Sequence, residues 1–310
     1  MDVKFDIPQY FASVKMSSKK RVLVEGRDDK AHISNLFFAI LGNNKIKIDT
    51  AENIKGVCGS TSKNNRAKID LIHQTTKTTN HYENLYFLCD REYLKFNIGE
   101  EIQDLMDGHE SDGNLSWTLG HSLENYFLEA DLISDAFSYL TGSEFKVPAV
   151  TLFNELLPSA LQIIAAITLS ARDIGSSTYP IGSINWKDFH LDNNILSFDA
   201  ANWIQKKDDE ISKAFYSKYF KYLSILVKSK NLICSRICRG HTSILMLQRI
   251  FSACLYKVGN HLDEFAARRD ANSFCNIREL SVSNALSEAW IRKIKTGNAL
   301  YPANLVVAVT

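Results

Sequence analysis

Proline and glycine are scarce in this chain, 5 and 14 of 310 residues. Their scarcity argues against long disordered linkers. The six cysteines, at positions 58, 89, 234, 238, 254 and 275, include no Cys-x-x-Cys pair. That spacing speaks against a disulfide framework and a zinc knuckle, and for a reducing cytoplasm. No His-x3-His or Glu-x-x-His pair is present to hold zinc. Apolar runs such as 305–309 are far too short to cross a bilayer, so no membrane contact is expected. The first residues, Met1-Asp2-Val3-Lys4-Phe5-Asp6, lack the charged-then-apolar pattern of a signal peptide.

What is present is a core and an uneven charge. Hydrophobic residues make up 45% of the chain, enough for one large domain or two smaller ones. The net charge is only +1. Residues 81–135 nevertheless hold 13 acids and two bases, a local charge of −11, so the remainder carries +12. The acidic stretch can bind metal, and it would repel a polyanion without one. The basic remainder is needed to hold such a substrate.

Residues 21–25 read as a short buried strand, broken by Gly26, with Asp28 and Asp29 as caps for a helix over 30–41. A second strand is expected over 45–49, a helix over 65–76, and a third strand over 85–89. A fourth is expected over 115–119, after an Asp112-Gly113-Asn114 turn. Alternating strands and helices imply right-handed crossovers and a parallel sheet. Beyond 130 the pattern is helical: 132–140, 150–171, 200–228, 243–258 and 283–294, with a loop over 178–192. The expected division is a catalytic α/β domain over 1–130 and a mainly helical region over 131–310.

Two acidic runs close predicted strands. The first is Val22-Leu23-Val24-Glu25-Gly26-Arg27-Asp28-Asp29, and the second is Leu85-Tyr86-Phe87-Leu88-Cys89-Asp90-Arg91-Glu92. Side chains at the carboxyl ends of parallel strands face the ligand crevice. Gly26 permits a sharp turn and leaves room for a metal or phosphate. Asp90 and Glu92, two apart on an extended chain, point the same way. Glu25, Asp90 and Glu92 meeting at one point would repel each other without a cation, and oxygen-only sites suit Mg2+ or Mn2+. Taken singly, each run also fits an ordinary strand-to-helix turn or a solvated strand end.

Together the two runs resemble the glutamate and Asp-x-Asp motifs of TOPRIM domains, over roughly residues 20–125. That Rossmann-like fold is shared by topoisomerases, primases and OLD-type nucleases. The resemblance implies that Glu25, Asp90 and Glu92 hold magnesium and act in phosphodiester chemistry. A third run, Leu123-Glu124-Asn125-Tyr126, is similar to the signature of a TOPRIM subfamily with a helical C-terminal part. With the chain length and the Arg239-Gly240-His241 turn, it most resembles the TOPRIM effectors of the PARIS anti-phage systems. There an ABC-type ATPase, AriA, holds the effector inactive. The resemblance thus implies a bacterial cytoplasmic nuclease, homodimeric when active, that acts on tRNA. Two departures stand out. Glu92 occupies a position usually held by Asp, and His241 stands where Lys is frequent, exchanging a fixed charge for a titratable one.

Glu124 reads either as a further metal ligand, or as a residue that orients one, or as an acid favoured at a helix N-terminus. In the expected mechanism Glu25 is a metal ligand or, if unligated, a general base. Asp29 holds a water or caps the helix. Arg27 or Arg91 offsets phosphate charge. His121 and His241 are the histidines to test as phosphate or proton partners, whereas His32 and His73 fall inside helices. The cysteines read as buried fillers. Lys206, Lys207, Lys213, Lys218, Lys221 and Lys228 gather on one side of the helix expected over 200–228, with Ile211, Phe215, Tyr219, Tyr222 and Leu226 beside them. An amphipathic helix with a solvated lysine face explains this pattern. So does a surface gripping nucleic acid through Lys213, Lys218, Lys221 and Lys228. Two other classes are a non-catalytic module docking an ATPase and a phosphotransferase on a similar sheet. The second lacks the Asp-x-Asp after the first strand that the common aspartyl-phosphate type needs.

Overall fold

The computed structural model describes residues 5–42, 45–79, 81–192, 195–207 and 209–310, without the side chains of Ser60 and Lys206. The chain is α/β, with a mainly parallel five-stranded sheet flanked by helices and a helical C-terminal part. Two compact units interleave along the sequence. One comprises Met1–Arg91, Met106–Leu123 and Ile291–Thr310; the other comprises Glu92–Leu105 and Glu124–Trp290.

The first unit opens with α1 (Ile7–Lys15), where Asp6 and Gln9 cap each other's backbone amides. Then follow β1 (Arg21–Val24), α2 (Arg27–Leu41), β2 (Lys47–Thr50), the one-turn α3 (Gly59–Ser62), α4 (Asn65–Thr76) and β3 (Leu85–Cys89). The chain passes to the second unit for a hairpin, β4 (Phe96–Ile98) and β5 (Ile102–Asp104). It returns for β6 (Ser111–Asp112) and β7 (Leu115–Trp117), joined through Gly113 at φ 59. A left-handed turn of that kind favours glycine. The sheet order is β2-β1-β3-β7-β6, parallel except for the β6 edge.

All four residues of β1 and all five of β3 are buried. Leu23, Leu85, Phe87 and Cys89 pack with Ile7, Tyr10 and Val14 of α1 and Ile69 and Ile72 of α4. The intervening Val22, Val24 and Leu88 point to the other face by strand alternation. A sheet covered on both sides reads as a continuous apolar run, and these strands do so. The helix Ala303–Val309, also in this unit, packs on β3 and β7.

The second unit is built on α6 (Lys146–Asp173), which follows α5 (Ala130–Leu140). Next come β8 (Phe189–Asp192) and β9 (Ile195–Phe198), then α7 (Ala200–Lys207), α8 (Glu210–Leu226), α9 (Asn231–Ile237), α10 (Gly240–Gly259), α11 (Glu264–Cys275) and α12 (Glu279–Lys295), whose residues from Ile291 belong to the first unit. α5, α8, α9 and α10 all pack on α6. By length and composition α6 alone among the described helices could cross a membrane. Its residues from Leu156 to Ala171 are nonetheless almost continuously buried within this unit. A helix apolar on all sides is what a central core position requires.

Several expectations change here. Residues 200–228 do not form one helix: Asp209 is extended and caps α8 by accepting the Ser212 amide at 2.6 Å. Residue 208 and the Lys206 side chain lie outside the described residues. Lys228 falls beyond the end of α8, and Lys207 precedes its start, so the lysines do not share one helical face. Ile211, expected beside the buried aromatics, is 55% exposed. The loop expected over 178–192 ends in β8, whose alternating burial matches a hairpin strand. Cys58 is exposed rather than a buried filler. The helices α1, α9 and α11 have no counterpart among the elements expected from the sequence.

Candidate active site

The strand order places a particular crevice in the sheet. From β1 the chain moves to β2 on one side, then crosses back to β3 on the other. Such a reversal opens a crevice at the carboxyl ends of the two central strands, where open α/β sheets bind ligands. Glu25 directly follows β1, and Asp90 directly follows β3.

The two acids are physically linked. The Asp90 backbone amide donates to Glu25 Oε1 at 3.1 Å. The Leu123 amide donates to Asp90 Oδ1 at 3.2 Å. These amide donors fix the direction of each carboxylate. From α4, Arg66 Nη1 donates to the Asp90 carbonyl at 2.6 Å, pinning the strand end.

Other acids gather at the same edge. The helix begins at Arg27, earlier than expected, so Asp28 and Asp29 lie within its first turn rather than ahead of it, and Asp29 Oδ2 accepts the Gly26 amide at 2.8 Å from there. The chain bends at Glu25-Gly26 as expected, but Gly26 has φ −122 and ψ 176, a conformation open to any residue. A Cβ there would stand 3.4 Å from Asp29 Oδ2 and 3.6 Å from Glu52 Oε1. Glu52 was missed in the sequence. It follows β2 by two residues, where Glu25 and Asp90 follow their strands by one.

The two arginines part company. Arg27 is 66% exposed and pairs with Glu52 at 3.3 Å. Arg91 is fully buried. Its amide donates to Thr118 Oγ1 at 2.9 Å and its guanidinium to the Leu119 carbonyl at 2.7 Å. It braces the segment after β7 and is not presented to a phosphate.

Glu92 does not extend β3. It has φ 51 and opens a turn, so the period-two argument that aligned it with Asp90 fails. Glu92 and Glu124 belong to the second unit. There Glu124 is 5% exposed in the 3-10 turn Leu123–Phe127. His241, in the first turn of α10, holds its Nε2 3.6 Å from Glu124 Oε1 and its Nδ1 2.5 Å from Glu279 Oε1. The Glu279 contact, opposed by burial and aided by Glu124, raises its pKa to about 9. At neutral pH the ring is therefore an imidazolium, and the position keeps the positive charge its titratable side chain put in question. Asn125 donates to the Ser235 and Cys238 carbonyls at 2.6 and 2.8 Å, fastening the turn ahead of α10. Tyr126 and Phe127 pack on Trp290 with ring centroids 6.0 and 5.2 Å apart. His121 is buried.

Of the lysines, Lys213, Lys221 and Lys228 are exposed. Lys218 lies 3.8 Å from Asp173. Lys221 sits over the Tyr222 ring.

Among the described residues, no group of three or more His, Cys, Asp and Glu side chains converges closely enough to hold a metal ion. Glu25 and Asp90 still make a fitting donor set for a hard cation. Mg2+ commonly uses one or two carboxylates and completes its shell with water and substrate phosphate. The chain matches no protein-family model and no curated protein.

Proposed function

We propose that this chain is a TOPRIM-type, metal-dependent nuclease that cleaves phosphodiester bonds in nucleic acid. One observation carries the reading: Glu25 and Asp90 lie at the carboxyl ends of β1 and β3, joined by a hydrogen bond at the crevice the strand order creates. Glu25 and Asp90 would hold Mg2+ or Mn2+. When bound, the ion would polarise a phosphoryl oxygen and acidify a water. The Asp90 and Leu123 amides aim the two carboxylates. Arg27, exposed at the start of α2 and paired with Glu52, is the arginine that would offset phosphate charge.

The finer reading rests on the resemblance. The chain is similar to AriB, the PARIS effector, and on that basis its substrate is tRNA, its partner an AriA-like ATPase and its active form a homodimer. The fastening of Asn125 and the packing of Tyr126 and Phe127 give the Leu123-Glu124-Asn125-Tyr126 run a structural role consistent with that subfamily.

The test is incubation of the purified chain with total RNA and with plasmid DNA, in magnesium and in chelator. Cleavage is expected only with metal. Glu25→Gln and Asp90→Asn should each lose more than about 100-fold, since even residues that only orient a metal ligand cost 10–100-fold. Undiminished cleavage by Asp90→Asn would sink the assignment. A chain that cuts neither substrate but still binds an ATPase supports the binding-module reading instead.

A further inference from the structure

A cavity of about 360 Å³ opens in the helical unit, between β8 with the 3-10 turn Trp186–Asp188 before it and α10 and α11. Its size falls within the roughly 300–1,000 Å³ of small-molecule sites. Its walls combine two chemistries. One is aromatic: Trp186 and Tyr256 form a corner, with ring centroids 5.1 Å apart and planes inclined at 47°. Trp186 is 5% exposed, and its indole N–H donates to Asn272 Oδ1 at 2.9 Å, which fixes the ring. The other is cationic, from Lys187, Lys257 and Arg268.

Two of the three cations are paired with carboxylates, and the set keeps one positive charge in excess. Arg268 lies over the Tyr256 ring at 5.7 Å and is braced by Glu264 at 2.5 Å. Lys187 lies over Trp186 at 5.6 Å. Lys257 is 3.7 Å from Asp192, a carboxylate 87% exposed and well solvated. His190 is turned to Asp199 at 3.0 Å. Three fixed cations therefore outnumber the two carboxylates, Asp192 and Glu264, that touch them. A cationic ligand would be repelled here. A purely apolar one would leave the positive charge uncompensated, and a bare anion would make no use of the rings. A flat aromatic body carrying an anionic group uses both.

We propose that this cavity binds a nucleotide, with its base against Tyr256, which Trp186 backs, and its phosphate among Lys187, Lys257 and Arg268. The ligand is a free mononucleotide or one unpaired nucleotide of a strand, since aromatic and arginine surfaces take splayed bases in the same way. The site lies outside the sheet unit and stands whether or not that unit cleaves nucleic acid.

Calorimetric titration of the full chain with AMP, adenosine and inorganic phosphate tests it, with far-UV circular dichroism confirming that each variant is folded. AMP should bind at least about tenfold more tightly than adenosine or phosphate, and Tyr256→Ala should weaken it about tenfold, the scale of one stacking contact. The double variant Lys257→Gln/Arg268→Gln should reduce AMP affinity to that of adenosine, leaving adenosine binding unchanged. Displacement of AMP by a single-stranded oligonucleotide supports the strand source; failure of displacement supports the free mononucleotide. The proposal is overturned if AMP, GMP and UMP all fail to bind at millimolar concentration, or if both variants bind AMP as the unaltered chain does.

Discussion

His241 sits between two carboxylates, and that placement sets its charge. Its folded pKa of about 9 lies above the roughly 6.5 of an unfolded histidine. The stabilisation is therefore complete below about pH 6.5 and is lost as pH rises through about 9. Half of the side chain is exposed, so screening keeps the gain modest. The difference in thermal midpoint between the unaltered chain and Glu279→Gln should be largest near pH 6 and vanish near pH 10. A difference constant across that range would mean that Glu279 acts through packing and not through the imidazolium. Glu25 and Asp90 illustrate the opposite kind of residue, positioned by backbone amides.

Among the elements, α10 shows how closely the helical unit is packed. A Cβ on Gly259 would meet the Phe145 ring at 2.6 Å and the Ala267 Cβ at 2.9 Å. Helix propensity favours alanine over glycine by about 1 kcal/mol. The overpacking at this point costs about 1–3 kcal/mol and wins. Gly259→Ala should lower the urea midpoint with an unchanged slope; a raised midpoint would show that α11 yields easily. The break between α7 and α8 matters in a different way. Asp209 offers its side chain to the Ser212 amide, a local bond that competes with continuing the helix. Helical periodicity alone does not register that competition, and so the lysines read as one face.

For the whole molecule the governing feature is the separation of charge along the chain, −11 over residues 81–135 against +12 elsewhere. The exposed Lys213, Lys221 and Lys228 are candidates for a nucleic-acid surface even without a shared helix. Replacing all three with glutamine should weaken nucleic-acid binding. It should also flatten the slope of log affinity against log salt by about 2 to 3, near 0.7–0.9 for each phosphate no longer neutralised. An unchanged slope across a salt series would assign these lysines to a solvated face.

The sequence by itself determined the sheet and its acidic strand ends. β3 and α4 fall at the residues their patterns predict, because buried parallel strands and amphipathic helices write their period into neighbouring residues. Glu25 and Asp90 were legible for the same reason, each standing one residue past an apolar run. Short polar elements such as the β4–β5 hairpin were not, since three-residue strands leave no period to read. Tertiary structure alone decided the rest. Arg91 became a buried brace because Thr118 and Leu119 lie across from it. Glu92 turned away from the strand direction at a left-handed residue. His241 met Glu279, 38 residues distant, and Trp186 met Tyr256. A meeting of residues far apart in the chain depends on how elements pack, and no local pattern encodes it.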